Sequence, residues 1–477
     1  MIKRNCFVIS LLFVVGIGYP AWSQKQTKEK AAMAANAQAI RPLADVLAQT
    51  IQPLAQNAVI VHRSEHPNEL FVGSPSIVRL SGGRLVVSLD QFGPGVGKYC
   101  TGPIGDRFHF GHKLQGLVYT SDDGGATWTL RAKFPFCHAR LFLAGDTLYL
   151  LGHKGNIMIM ASRDGGINWT EPASLTDYDD TGARYTQAPA NVLIVDGRVY
   201  LIMMYITDLT YRDYFVSTLA LVAMRAPVDH DLCSRENWVI SAPSKPFREL
   251  VPTDKLDYCG IPFYPTPEAK TGTFVAPGRR AAHIGWHEAH LVQIIDPNHL
   301  WFDKTGSSFH VLARADAHRS NIAALAVLRL QEDGSMQFDL QKTPAGTNIA
   351  FLPMPGGNIK FHVLFDDATQ LYWLLSNQVT DSMTNPVKLP ADGRYGLPID
   401  QRERLVLHFS HNLVDWQFAG LVAKGKTDRE SRHYASMAID GEDLVVLSRS
   451  GDVQAKNAHD TNLITFHRVK GFRGLVY

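Results

Sequence analysis

From residue 58 onward the chain is written as short apolar runs, each cut off by a Gly/Asp turn. Ser76–Leu80, Arg84–Leu89, Leu117–Thr120, Leu141–Ala144, Thr147–Leu151 and Asn156–Met160 are examples. Runs of this length between turn residues predict strands. They follow one another directly, without the long 3.6-residue periodicity of a crossover helix, so the pattern is a meander and not a βαβ alternation. Residues 25–57 differ. They are rich in Ala, Gln and Lys, and Leu43, Val46, Leu47, Ile51 and Leu54 fall at helical spacing, which predicts a short amphipathic helix.

Within the meander a unit repeats. A first strand ends in a Gly/Asp turn (Ile77–Gly82, Arg140–Asp146, Asn191–Gly197, Met437–Glu442) and a second follows at once (Arg84–Leu89, Thr147–Leu151, Val199–Ile206, Asp443–Ser448). Six such units begin near residues 74, 138, 186, 288, 358 and 433. Repetition at this scale predicts an all-β fold, a β-propeller, over residues 58–477. Val59–Arg63 is placed to supply the outer strand of the last blade and close the ring. Two separate β-sandwiches are the competing architecture.

Composition narrows the function. The chain has 477 residues, 47 Lys and Arg against 45 Asp and Glu, and no basic tract, which argues against a nucleic-acid partner. Residues 1–23 have the form of a signal peptide: Lys3 and Arg4, an apolar Cys6–Gly18, then Ala21-Trp22-Ser23. Residues 24–57 form a linker with the short helix. The expectation is a secreted or periplasmic protein with no membrane span after signal removal. Cys100, Cys137, Cys233 and Cys259 show no C-x-x-C spacing, so a zinc site built from cysteines alone is not expected. His109 and His112 fall on opposite faces of a regular strand and would share an ion only through a bulge.

Two turns are distinctive. Ser121-Asp122-Asp123-Gly124-Gly125-Ala126-Thr127-Trp128 and Ser162-Arg163-Asp164-Gly165-Gly166-Ile167-Asn168-Trp169 share S-x-D-x-G-x-x-W, and Ser410 to Trp416 is a degenerate third copy. These Asp boxes resemble those of sialidase-like propellers. Asp123 and Asp164 then serve the turn and not catalysis. Sialidases also grip a carboxylate with an arginine triad whose first member lies in F/Y-R-I-P. The early strands here hold His62-Arg63-Ser64 instead, and no Tyr–Glu nucleophile pair is assignable from sequence.

A narrower resemblance runs through Gly73-Ser74-Pro75-Ser76-Ile77, Gly152-His153, Tyr185-Thr186-Gln187-Ala188-Pro189 and Gly285-Trp286-His287-Glu288. It continues through Pro355–Phe361 and the tail Ala458-His459-Asp460-Thr461-Asn462. The chain resembles propeller ulvan lyases, rhamnose–glucuronate lyases and related α-L-rhamnosidases. The resemblance implies seven blades, a polysaccharide or oligosaccharide substrate of rhamnose–uronate type, no catalytic cofactor and a structural Ca2+.

Lyase chemistry on a 4-linked uronate needs a neutralised carboxylate, a base for the C5 proton and an acid for the leaving oxygen. In a propeller such groups belong where inner strands begin or second strands end. His138 opens a unit, His153 ends its second strand, and Tyr185 opens the next; the resemblance matches these to the lyases' two histidines and catalytic tyrosine. It also implies an Arg where Leu201 stands. Arg140, Arg184 and Arg314 are the substitutes, with Arg314 preferred for its strand-end position. Lys360, His290, His433 and Tyr434 are the other expected substrate contacts, against the plainer roles of packed histidines, a gap-filling tyrosine and an exposed lysine. His459-Asp460-Asn462 either lines the funnel, helps bind a metal or staples a loop. For a hydrolase, Asp90, Glu288, Asp316 and Asp460 are acids near strand ends, with no pair selectable. Ser88-Leu89-Asp90 departs from the rhamnosidases' Ser-His-Asp. The leading expectation is polysaccharide lyase. The alternatives are an exo-glycoside hydrolase (rhamnosidase before sialidase) and an inactive glycan-binding propeller.

Overall fold

The computed structural model describes residues 51–106, 113–177, 184–211, 215–250, 274–276, 279–280, 285–315, 321–380, 401–427 and 429–477. The chain divides into Met1–Gln52 and Pro53–Tyr477. The first unit lies almost wholly outside the described residues, with the signal segment and most of the expected helix; so do His109, His112, Cys259 and Asp316. Among the described residues no helix is long and apolar enough to cross a membrane.

The second unit is a β-propeller of six blades. Blade 1 is Phe71–Arg79, Leu85–Phe92, Gln115–Ser121 and Thr129–Phe134; blade 2 is Cys137–Ala144, Thr147–His153, Ile157–Ser162 and Ala173–Ser174. Blade 3 runs Tyr185–Thr186, Arg198–Ile206, Leu219–Pro227, Val239–Ile240, with Leu193–Val195 also on Arg198–Ile206. Blade 4 is His287–Val292, Ser308–Arg314, Ile322–Leu330 and Met336–Asp339, with Phe351–Pro353 added beside the third strand. Blade 5 is His362–Asp366, Leu371–Asn377, Arg404–Ser410 and Gln417–Lys424. Blade 6 is Arg432–Asp440, Asp443–Ser450, Leu463–Val469 and, outermost, Val59–Arg63. The six units of the sequence are these six blades, and the seventh implied by the resemblance is not present among the described residues.

Every strand pair within a blade is antiparallel, and the first strand of blade 1 packs against the first strands of blades 2 and 6. That arrangement buries both faces of most sheets, which is why the runs are apolar at successive positions and not strictly alternating. Leu219–Ala226 is buried throughout apart from Arg225. The inner strands enclose a cavity of about 530 Å³ lined from all six blades, including Val78, Leu143, Val192, Val292, Val363 and Met437. Side chains carry the seams between blades. Asn191 donates to the Leu291 carbonyl at 2.6 Å and accepts from the Leu291 N–H at 3.0 Å, tying blade 3 to blade 4. Ser88 Oγ donates to the Ala139 carbonyl, and Thr461 Oγ1 to that of Val72.

The expected helix is replaced where it can be seen. Leu54 and Ala55 N–H groups donate to Leu421 and Val422 carbonyls at 2.7 and 2.9 Å. An exposed strand edge offers the backbone partners that a lone helical turn would have to find internally.

The Asp boxes are turn devices, as the sequence suggests. Asp123 accepts from Ser121 Oγ and from the N–H and Oγ1 of Thr127, and Trp128 Nε1 donates back to the Gly125 carbonyl at 3.1 Å. Asp164 repeats the pattern with Ser162 and Asn168. These hydrogen bonds hold both carboxyls down at about 2. In the third copy Asn412 accepts from the Val414 and Asp415 N–H groups in the aspartate's place. The boxes also reach the preceding blade: Trp128 lies edge-on to Phe466 at 5.4 Å, and Gly125 (φ 94°) is so close that a Cβ would sit 2.2 Å from that ring. Gly125→Ala is therefore expected to lower stability by about 1–3 kcal/mol through backbone strain and overpacking, read from the urea midpoint, whereas Gly82→Ala, where a Cβ meets nothing, leaves it nearly unchanged.

Candidate active site

Four inner strands carry the same local defect. Ser74, His138, Glu288 and Tyr434 adopt φ of 51°, 51°, 54° and 49°. Each lies within a register shift: Gly73/Ser76, Cys137/Arg140, His287/His290 and His433/Ser436. The local sequences are Gly-Ser-Pro-Ser, Cys-His-Ala-Arg, His-Glu-Ala-His and His-Tyr-Ala-Ser. A left-handed backbone costs a non-glycine residue about 1–3 kcal/mol. A bulge re-aims the side chain that carries it. Four residues at one place in the repeat thus share an orientation that alternation along a strand would not give.

Two of them meet. Arg314, at the end of the second strand of blade 4, donates from Nη1 to Glu288 Oε2 at 3.3 Å and to the Tyr434 hydroxyl at 3.1 Å. Its Nε donates to the Asn358 carbonyl at 3.1 Å, which fixes the guanidinium from blade 5. Two further guanidiniums stand over the Tyr434 ring, Arg449 at 5.3 Å and Arg402 at 5.6 Å. Glu288, Arg314, Arg402 and Arg449 are each at most 5% exposed, and Tyr434 is 9% exposed. Burial raises the Tyr434 phenol above its usual range, and Glu288 adds to this; Arg314, Arg402 and Arg449 pull the other way without prevailing. The phenol is neutral at rest and has a carboxylate on its own arginine as the nearest base.

Neighbouring groups hold the arginines. Arg402 Nη1 donates to His433 Nδ1 at 2.9 Å, and burial with the adjacent Arg402 and Arg449 charges keeps that imidazole neutral. Arg449 donates to the His459 carbonyl and lies near His459 Nδ1, while His459 Nδ1 contacts Asp460 Oδ1 at 2.9 Å. The His459–Asp460 segment thus seats an arginine. Burial lowers Arg449 to about 10.

Arg314 and Tyr434, expected as substrate contacts, lie in this cluster. His433 is one layer behind it. Lys360 is buried rather than exposed, donates to the Ala435 carbonyl at 2.7 Å and is pushed down to about 7 by burial. His290 is fully buried against Phe361 and His362, and burial together with His362, Lys360 and Arg140 holds it well below its ordinary value. Lys360 and Arg140 are thus two buried basic groups beside a neutral His290. Of the three arginines weighed for the carboxylate, Arg140 points to Met203 Sδ, Arg184 donates to the Ile206 carbonyl, and Arg314 reaches the Glu288–Tyr434 pair. Leu201 is core and Arg63 pairs with Asp452 on the surface.

His138 and His153 are brought together, Nδ1 to Nε2 at 2.9 Å. Tyr185 bridges Gly155 of blade 2 and packs edge-on to Tyr205 at 5.3 Å, on the seam beside them. Cys137 Sγ lies 3.7 Å from His153 Nε2, so Cys137, His138 and His153 are residues that can hold a metal.

Sequence reasoning passed over Arg402 and Arg449. Arg449 obeys the same second-strand-end rule that selected Arg314. Arg402 precedes its strand and carries no such signal. Asp90, weighed as an acid, ends up buried between the clusters. Its Oδ2 accepts the His138 N–H at 2.7 Å, and it pairs across the sheet with Gly73, whose Cα position abuts Arg449. Burial pushes its carboxyl up to about 7, against the pull of the His138 N–H, Ser74 and Arg449.

No protein-family model and no curated protein matches the chain. Solved structures do. A Hadza microbial sialidase, Hz136, is 13% identical over 87% of this chain and 68% of its own, with a TM-score of 0.49. A mutant of Trypanosoma rangeli sialidase displaying trans-sialidase activity is 14% identical over 89% of this chain and 60% of its own, with a TM-score of 0.49. Penicillium chrysogenum α-L-arabinanase is 12% identical over 89% and 100%, with a TM-score of 0.45. At these identities and scores the likeness is one of propeller architecture.

The raised carboxyl of Asp90 has a stability consequence. Unfolded aspartate ionises near 3.9 and the folded group near 7, so its contribution is fully present below about pH 4 and is lost as pH rises through 7. Wild type is expected to lose stability between pH 5 and pH 8 relative to Asp90→Asn, in paired urea unfolding curves.

Proposed function

We propose that the chain is a carbohydrate-active enzyme that hydrolyses glycosides of a carboxylate-bearing sugar, with Tyr434 as nucleophile and Glu288 as its base. The observation that carries this is the single buried guanidinium of Arg314 bonded to both groups, with Arg402 and Arg449 over the same ring. Three buried guanidiniums gather at one phenol, with Glu288 on Arg314 and Asp460 beside Arg449, and such an arginine cluster suits an anionic sugar. A neutral phenol suits such a substrate, because a carboxylate nucleophile would face the sugar's own charge. In this scheme Glu288 takes the phenol proton as Tyr434 Oη attacks the anomeric carbon. Asp90, protonated below about pH 7, is the candidate donor to the leaving oxygen and then the base for water. Sialosides and uronosides both fit the charge requirement.

The lyase reading, on rhamnose–uronate glycans, is favoured by the 2.9 Å His138–His153 contact with Tyr185 on the adjoining blade. The two readings put different tyrosines to work.

A panel of sialosides, uronate glycosides and ulvan separates them: hydrolysis releases saturated sugar, whereas elimination leaves a 4,5-unsaturated uronate that absorbs in the ultraviolet. Tyr434→Phe is expected to lower kcat about 10²–10⁴-fold, and a fluorinated activated glycoside should leave its sugar on the Tyr434 peptide in a mass map. Ultraviolet product and full activity in Tyr434→Phe would overturn the hydrolase proposal. In wild type kcat/KM should fall above about pH 7 as Asp90 ionises, and Asp90→Asn should lose that limb.

A further inference from the structure

We propose that Cys137, His138 and His153 bind a thiophilic divalent cation of the zinc class, at a site separate from the Tyr434–Glu288 pair. Cys137 and His138 are consecutive and would point to opposite faces of a regular strand. The bulge between Cys137 and Arg140, with φ 51° at His138, breaks that alternation and lets both approach one partner. The partner is His153, directly opposite Cys137 on the neighbouring strand. Cys137 Sγ, His138 Nδ1 and His153 Nε2 all lie within 4.8 Å of one another.

The spacing fits the ion. Tetrahedral bonds of about 2.0–2.1 Å to nitrogen and about 2.3 Å to sulfur place nitrogens about 3.3 Å apart and nitrogen and sulfur about 3.6 Å apart. The corresponding separations are 2.9 Å between the imidazoles and 3.7 Å between Cys137 Sγ and His153 Nε2. An ion enters with ring movements of a few tenths of an ångström. The donor set also selects it. One thiolate and two imidazoles suit Zn2+, whereas Ca2+ and Mg2+ take oxygen ligands, so this is not the calcium implied by the resemblance. Cys137 and His153 are buried and His138 is half-buried, which leaves a fourth position on the open side for water or a sugar oxygen. The Asp90 carboxyl, which accepts the His138 N–H, lies next to the thiol and is a polar neighbour of the ligands.

Binding exchanges the thiol proton, released to solvent, for a metal–sulfur bond. It also occupies both imidazole nitrogens that would otherwise pass protons, so a loaded site and the His138/His153 lyase mechanism exclude each other.

The experiment uses the full chain, stripped with a chelator and titrated with Zn2+ alone against a chromophoric competitor, and in parallel with Co2+. One equivalent of Zn2+ per chain is expected, and the Co2+ form should show a near-ultraviolet thiolate charge-transfer band. Cys137→Ser should abolish the band, and His153→Ala or His138→Asn should weaken Zn2+ binding at least about tenfold, while Cys233→Ser changes neither. Absence of the band in the wild-type Co2+ form, which needs no variant to fold, overturns the proposal. So does Zn2+ uptake that is unchanged in folded Cys137→Ser, since the ion is then held elsewhere.

Discussion

The pairing of Val59–Arg63 with Leu463–Val469 is the interaction on which the rest depends. It joins the two ends of the propeller into one blade, and without it that blade would keep three strands with Leu463–Val469 at its bare edge. Closure brings the strand starts to one mouth. Glu288 and Tyr434 belong to blades 4 and 6 and share the Arg314 guanidinium across the mouth. The blade-6 to blade-1 seam is reinforced from both sides, by Thr461 on Val72 and by Trp128 on Phe466. The Asp-box turns thus support the site at a distance: they hold outer edges so that inner strands converge.

Within the mouth, the strained backbone and the buried charges are two aspects of one arrangement. Left-handed residues at the bulges turn side chains toward the axis, and the arginines ending second strands meet them there. Buried guanidiniums are expensive to desolvate unless their donors are used. Arg314 uses Nε on a backbone carbonyl and Nη1 on two site groups; Arg402 leans on a neutral histidine; Arg449 takes the His459 carbonyl. The arginines are held firmly by these partners.

The fold was legible because its signals are local. Gly/Asp turns, the spacing of paired strands and two Asp boxes are each contained within about ten residues, and the six unit starts and the closing strand follow from them. The seventh blade came from resemblance alone and has no strands among the described residues. The site was legible only in part. Arg314 and Tyr434 stood out by strand-end position, while Arg449 satisfied the same rule unnoticed in Ser448-Arg449-Ser450. The Glu288–Tyr434 pair could not be chosen because partners 146 positions apart in the numbering are joined by ring closure and not by any motif. Lys360 shows the converse: its motif suggested a carboxylate contact, with an exposed strand lysine as the alternative, and tertiary packing buries it on the Ala435 carbonyl of blade 6.

The buried pair of Lys360 and Arg140 also links occupancy to protonation. Lys360 sits at about 7 and Arg140 at about 9 because burial resists their charge, and for Lys360 the pull of Glu288 and the push of Arg140 come after it. On the proposed reading, a carboxylate-bearing sugar bound near them would raise both values, Lys360 the more visibly because it sits near neutrality. Ligand capture is then accompanied by proton uptake from the buffer. The heat of association becomes a property of the solvent's ionisation enthalpy as well as of the contacts made, and affinity for an anion declines as the surroundings turn alkaline.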